Sequence, residues 1–103
     1  MSGACEPAAG SVRLTHAAGL HARPSVKLTK LAKTFASAIE LGISDAGPWI
    51  DAKSIVKVMA TKAPQHSTLH FRANGADAAA AVAALIALVE RDFDDGAVRD
   101  GSA

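Results

Sequence analysis

The stretch ARPSVKLTKLAKTFASAIELGI, residues 22–43, changes its hydrophobic period part-way along. Up to Ser37 the apolar side chains Leu28, Leu31, Ala32 and Phe35 recur at i, i+3, i+4 and i+7, which is one face of a helix. Lys27, Lys30 and Lys33 fall away from that stripe. From Ile39 the period becomes two, with Ile39, Leu41 and Ile43 alternating against Glu40 and Gly42, the pattern of a strand with one buried face. A helix over about Ala22 to Ser37 therefore feeds directly into a strand.

Working outward, Val12 and Leu14 flank Arg13 and give a short first strand, followed by a turn ending at Gly19. Downstream, Asp45-Ala-Gly-Pro48 is a turn signal, and Trp49 to Asp51 reads as a short third strand. Its link to the second strand is too short for a crossover, so the two form an antiparallel hairpin. Ile55, Val58 and Met59 give helical spacing over Lys53 to Ala60, although the β-branched residues there also suit a strand. Leu69 and Phe71 alternate with Thr68 and His70 in a fourth strand. Gly75-Ala-Asp77 opens a last helix, with Asp77 as N-cap. Val82, Leu85, Ile86, Val89 and Phe93 line its buried face, and the alanines between them favour helix and allow close approach to a sheet. The order βαββαβα predicts an α+β, two-layer sandwich with helices on one face of the sheet.

Composition narrows the function classes. The chain has 103 residues, half of them hydrophobic, which suits one domain with a modest, mostly aliphatic core. A net charge of +1 gives no electrostatic case for nucleic acid. Cys5 is the only cysteine, so no internal disulfide forms and no cysteine metal site is suggested; the scattered His16, His66 and His70 read as surface or structural. The longest apolar run, Ala78 to Val89, has 12 residues against the roughly 18 that suggest a membrane span. Met1 to Gly10 lacks the apolar run of a signal peptide, so a cytoplasmic monomer without cofactor or metal is expected. Met1 to Gly10 and Asp94 to Ala103, with its acidic Asp94 and Asp95, are expected to be loose ends around a domain spanning 11–93.

The chemistry concentrates in Gly19-Leu20-His21-Ala22-Arg23-Pro24-Ser25. Pro24 is tolerated in a helix only in the first turn, so a helix begins just before it and His21 falls at or before the N-cap. The unpaired amides of Ala22 and Arg23, with the positive end of the helix dipole, make an anion site. Arg23 adds a guanidinium able to grip oxygens in pairs. An imidazole is a good nucleophile near neutral pH, and phosphoryl transfer depends mainly on positioning and charge stabilisation. One imidazole, two backbone donors and one arginine thus converge on a phosphate-sized volume. The blander alternative is a partly exposed loop histidine beside a helix cap.

This motif resembles the active-site signature of HPr, the histidine-containing phosphocarrier of the bacterial sugar phosphotransferase system. A second stretch, Asp51-Ala-Lys-Ser-Ile-Val-Lys-Val-Met59, resembles that family's regulatory-serine segment at close to the family's separation. The likeness runs from about Ser11 to Phe93. It implies an open-faced sandwich with an antiparallel sheet of four strands. It implies that His21 is phosphorylated through Nδ1 and that Arg23 and the nearby amides steady the phosphoryl group. Enzyme I, charged by phosphoenolpyruvate, is the implied donor and a IIA protein or domain the acceptor. Ser54 matches the serine that an HPr kinase phosphorylates in some members, and it also suits an N-cap. Val56 and Met59 are expected to dock partners beside the histidine, with Lys30, Lys33 and Lys57 complementing an acidic partner face. At least one of Ile55, Val56 and Met59 is expected in the core.

Two departures from the family stand out: Thr61-Lys-Ala-Pro-Gln-His66 lacks the glycines usual in that turn, and Ala18 stands where some members carry a polar residue. The carrier reading leads. Beside it stand a specialised paralogue, a regulatory protein working mainly through Ser54 and protein binding, and a small enzyme using His21 as acid or base. The last lacks a second titratable group in the motif.

Overall fold

The computed structural model describes residues 6–16, 19 and 20, 22–44 and 46–93. Its elements are β1 (Glu6–Arg13), α1 (Ala22–Lys33), β2 (Ala38–Gly42), β3 (Ile50–Asp51), α2 (Ile55–Ala60), β4 (Thr68–Gly75) and α3 (Ala78–Glu90). The order is the βαββαβα expected. The four strands form one antiparallel sheet in the order β1-β4-β2-β3.

The sheet alternates as a one-sided layer should. On β4, Leu69, Phe71 and Ala73 are buried while Thr68, Arg72 and Asn74 are exposed. Phe71, Leu69, Leu41, Leu14, Leu28 and Leu85 are sealed from solvent, each contributing about 1.5–3 kcal/mol of apolar burial. Gly10 of β1 has no side chain because α3 lies on it: a Cβ there would sit 2.6 Å from Ile86 Cδ1. The alanines of α3 work the same way from the helix side, with Ala78 and Ala81 in the core.

Several boundaries differ from expectation. β1 begins at Glu6, not near Val12, and pairs residue for residue with β4 from Glu6 opposite Gly75 to Arg13 opposite Thr68. Five residues expected to be loose are therefore strand. Their Pro, Ala and Gly composition hid the strand, because backbone pairing rather than side-chain burial holds it. Leu14, expected in the first strand, lies just beyond it yet is fully buried. α1 ends at Lys33, short of Ser37; Thr34 Oγ1 turns back onto Leu31 O at 2.6 Å. The buried face of α1 is rotated as well. Pro24, Ser25, Leu28, Thr29 and Ala32 are buried, whereas Leu31 and Phe35 are half-exposed. Ser25 and Thr29 are tolerated inside because their hydroxyls donate to the carbonyls of Leu20, Ser25 and Val26. The residues Met1–Cys5, Ala17, Ala18, Asp45 and Asp94–Ala103, and with them the expectations for both chain ends, lie outside the described residues.

Asp77 also departs from its expected role. It occupies the N-cap position of α3, but its side chain makes no capping hydrogen bond. The carboxylate instead accepts the amides of Ala36 and Ser37, each at 2.9 Å, and the Ser37 hydroxyl. One carboxylate thereby ties the start of α3 to the segment between α1 and β2. The Ser37 hydroxyl first, and the Ala36 amide next, hold the Asp77 carboxyl below the usual carboxylate range. A lowered folded-state pKa means the unfolded chain binds the proton more tightly. The stabilisation is thus full above the ordinary value of about 4 and fades as pH falls through the folded one. Asp77→Asn should lower the melting temperature at pH 7, and the gap to wild type should close as the pH is taken down toward 3. Thermal unfolding followed by circular dichroism across that range checks both points.

Candidate functional site

The segment around the motif is built from the loop leaving β1 and the first turn of α1. Gly19 has φ +71°, a backbone conformation that side chains rarely adopt, and a Cβ there would meet Ala63 O at 2.5 Å. Glycine is therefore required twice over, by its dihedral and by the close approach of the 63–65 backbone. The Gly19 amide donates to His16 O at 2.9 Å, and the buried Leu20 donates its amide to Ala63 O at 2.9 Å. The chain is thus fixed on the N-terminal side of residue 21. On the C-terminal side α1 begins at Ala22, and Pro24 sits buried in its first turn, as expected. Ser25 Oγ reaches back to Leu20 O at 3.4 Å, bridging the two sides. The sequence motif contained Ser25 but did not show this tether.

His21 itself lies outside the described residues, as does Ala18. What is described is the setting that flanks it. Ala22 and Arg23 are exposed at the opening turn of α1, where backbone amides have no acceptor within the helix. Arg23 also lines a shallow cleft between α1 and α3, together with Ala22, Val26, Lys30, Leu31 and Leu88. Lys33 is exposed on the last turn of α1.

The second motif packs beside the first, since α2 lies against α1. Ser54 is the N-cap of α2, and its hydroxyl accepts the Lys57 amide at 3.4 Å. α2 buries Val58, leaves Ile55 half-buried, and exposes Val56, Lys57 and Met59. Of the three residues Ile55, Val56 and Met59, none is fully buried; the core position went to Val58. Val56 is 74% exposed, too open for any packing role within this chain. Val26 on α1 is a further exposed apolar side chain, at 43%, that sequence reasoning passed over. Its signal was present: it follows Pro24 by two residues and falls off the Leu28–Ala32 stripe.

The turn from α2 to β4 resolves the missing glycines. Lys62 and His66 take left-handed φ values of 50° and 77°, so ordinary residues occupy conformations that suit glycine. His70 lies on β4, and His66 is exposed in this turn. Among the described residues, no group of three or more His, Cys, Asp or Glu side chains is arranged to hold a metal ion, and no helix is long and apolar enough to cross a membrane.

With that geometry in place, comparison with known proteins is decisive. The family model described as "PTS HPr component phosphorylation site" matches residues 9–91. The chain belongs to the HPr family. The phosphocarrier protein HPr of Cupriavidus necator is 44% identical over 78 residues, covering 76% of this chain and 85% of that protein. The phosphocarrier protein NPr of Proteus mirabilis is 34% identical over 82% of this chain and 92% of its own length. Among solved structures, HPr-C-His from Thermoanaerobacter tengcongensis superposes with a TM-score of 0.77 at 30% identity, covering 84% of this chain and 94% of that one. This HPr chain is accordingly a phosphocarrier of the phosphotransferase system, and its open sheet with three helices is the family's fold.

The fit of Gly19 against the 63–65 segment yields a stability prediction. Gly19→Ala forces a left-handed alanine and a clash with a backbone oxygen, and should destabilise the protein by about 2 kcal/mol. Urea unfolding would show it as a lower midpoint at unchanged slope.

Proposed function

We propose that His21 is the residue that accepts the phosphoryl group in this chain, from phosphorylated enzyme I, and passes it to a IIA protein or domain. The observation that carries the reading is the open first turn of α1, with Pro24 buried inside it and Arg23 exposed on it, immediately following a histidine within the stretch matched by the family's phosphorylation-site model. The unprotonated imidazole nitrogen, Nδ1 in this reading, forms a bond to phosphorus as the bond between phosphorus and the donor atom of enzyme I breaks. The reverse exchange delivers the group to the acceptor. No metal or cofactor enters this scheme. Free amides at a helix start and a guanidinium favour the transferred dianion in both directions, by charge and by fixed geometry.

Docking falls to the neighbouring helices. Val56 and Met59 offer exposed apolar contact, and Lys30, Lys33 and Lys57 are exposed cations suited to an acidic partner face. A carrier that visits two partners in turn is best served as a freely diffusing cytoplasmic monomer. The likeness extends to proteins named HPr and to proteins named NPr, so the sugar or regulatory chain served is left open between them.

A second reading, regulation through Ser54 by an HPr kinase, has one observation in its favour. Ser54 stands at the start of α2, next to the exposed docking residues Val56 and Lys57. A phosphate of about −2 charge there would sit well with the helix start while opposing an acidic partner.

Incubation with purified enzyme I and phosphoenolpyruvate tests the primary reading. One acid-labile phosphoryl group per chain is expected, absent in His21→Ala. Arg23→Ala should keep the fold and slow transfer by roughly 10–100-fold, the range for removing one stabilising donor. Transfer at the wild-type rate would remove Arg23 from the mechanism. Acid-stable phosphate formed only with ATP and a kinase, and lost in Ser54→Ala, would favour the regulatory reading instead.

A further inference from the structure

The C-terminal end of α3 reaches the loop that leads into the phosphoryl site. After Glu90 the helix closes with two consecutive left-handed residues, Asp92 at φ 59° and Phe93 at φ 63°. Their amides return to the helix, Asp92 N to Val89 O and Phe93 N to Leu88 O, each at 2.9 Å. This double reversal is costly for residues other than glycine, roughly 1 kcal/mol or more apiece. It swings Phe93 off the helix and into the core, where it is 3% exposed. There its ring meets the edge of His16 in a T-shaped contact, with centroids 5.8 Å apart and planes at 76°. His16 is the residue whose carbonyl accepts the Gly19 amide, closing the turn two residues before His21.

We infer that Phe93 and His16 form a brace that sets the angle at which the 16–20 turn presents residue 21 to the first turn of α1. The inference rests on the carrier reading and adds two positioning residues to it. Two features separate a brace from ordinary core packing. The contact is made by the residue that closes the turn and not by the apolar residues Leu14 and Leu20 on either side, which the core already buries. It is also made from a distant part of the chain, through a helix end strained to reach it. The opposite flank of the same loop is held by the 63–67 segment, through Ala63, Gln65, His66 and Ser67. The loop is thus clasped from two sides. Removing one clasp lets the turn rotate without unfolding, and a small angular error at a transferring atom is expensive in rate.

The test compares His16→Ala and Phe93→Leu with Val82→Ala, a core change in α3 on the side facing Gly10, using steady-state phosphorylation by enzyme I and phosphoenolpyruvate. The brace predicts about a tenfold fall in kcat for each of the first two at nearly constant KM, because docking is intact while alignment is lost. It also predicts faster hydrogen exchange at the Gly19 amide in both. Val82→Ala should lower the melting temperature and leave kcat and the Gly19 amide as they are. If both brace variants keep the wild-type kcat, or raise KM alone, the brace is wrong while the carrier reading stands. If Val82→Ala lowers kcat as much, the effect is general loosening and the brace is again wrong. A wild-type protein that takes no phosphoryl group at all would overturn the carrier reading and the brace together.

Discussion

The seam between two loops organises this protein. The chain leaving β1 and the chain approaching β4 run against each other before the strands part. Leu14 N donates to Ser67 O at 2.7 Å, His66 N to Leu14 O at 2.6 Å, and Leu20 N to Ala63 O at 2.9 Å, while Gln65 Nε2 reaches Thr15 O at 3.1 Å. Through these bonds the first motif, at the start of α1, and the second, on α2, become parts of one surface despite their separation in sequence. The seam requires left-handed backbone at Lys62 and His66, at about 1–2 kcal/mol each. Four hydrogen bonds of about 1 kcal/mol net, plus burial of Leu14, Leu20 and Ala63, more than offset that cost. The turn therefore keeps its shape without glycine.

Periodicity made the fold legible where side chains decide it. The switch from period 3.6 to period 2 between Phe35 and Ile39 marked α1 and β2, and Ile55, Val58 and Met59 correctly favoured helix for α2. It failed where the backbone decides. Glu6 to Gly10 contains nothing that announces a strand, yet β4 offers it a full antiparallel ladder, and Gly10 is needed because α3 presses on it. It also failed where polar groups are buried. Counting only apolar residues turned α1 toward Leu31 and Phe35, when Ser25 and Thr29, silenced by hydrogen bonds to backbone carbonyls, occupy the core side. Asp77 looked like a cap from its place in sequence. Its three actual partners lie some forty residues away in Ala36 and Ser37, where no local pattern could point.

The candidate site divides along the same line. Gly19, Arg23, Pro24, Ser54, Val56 and Met59 were readable because each owes its role to a local event, a turn, a helix start or an exposed face. Ser25 as a tether, Val26 as an exposed apolar contact and Phe93 against His16 were not, because each depends on where a helix ends or how it is rotated. Phe93 was counted among the buried residues of α3, which is correct for burial. It reaches the core from beyond the last helical residue, by a reversal that sequence does not signal.

A carrier differs from an enzyme in needing its phosphoryl group held well enough to form and loosely enough to leave. A deep pocket with many charged donors would stabilise the phosphorylated state and trap it. Helix-start amides answer the requirement, since they are already oriented, lose little freedom on binding and supply only a fraction of a unit charge. A single exposed guanidinium on that same turn adds a stronger contact that water and partner side chains can share. The strongest ion pair described in this chain is spent elsewhere, where Arg72 bonds Glu40 at 2.6 Å and lies over the Trp49 ring on the sheet. The sheet side is thus furnished to stay as it is, and the start of α1 to be visited, which is the division of labour a phosphoryl shuttle calls for.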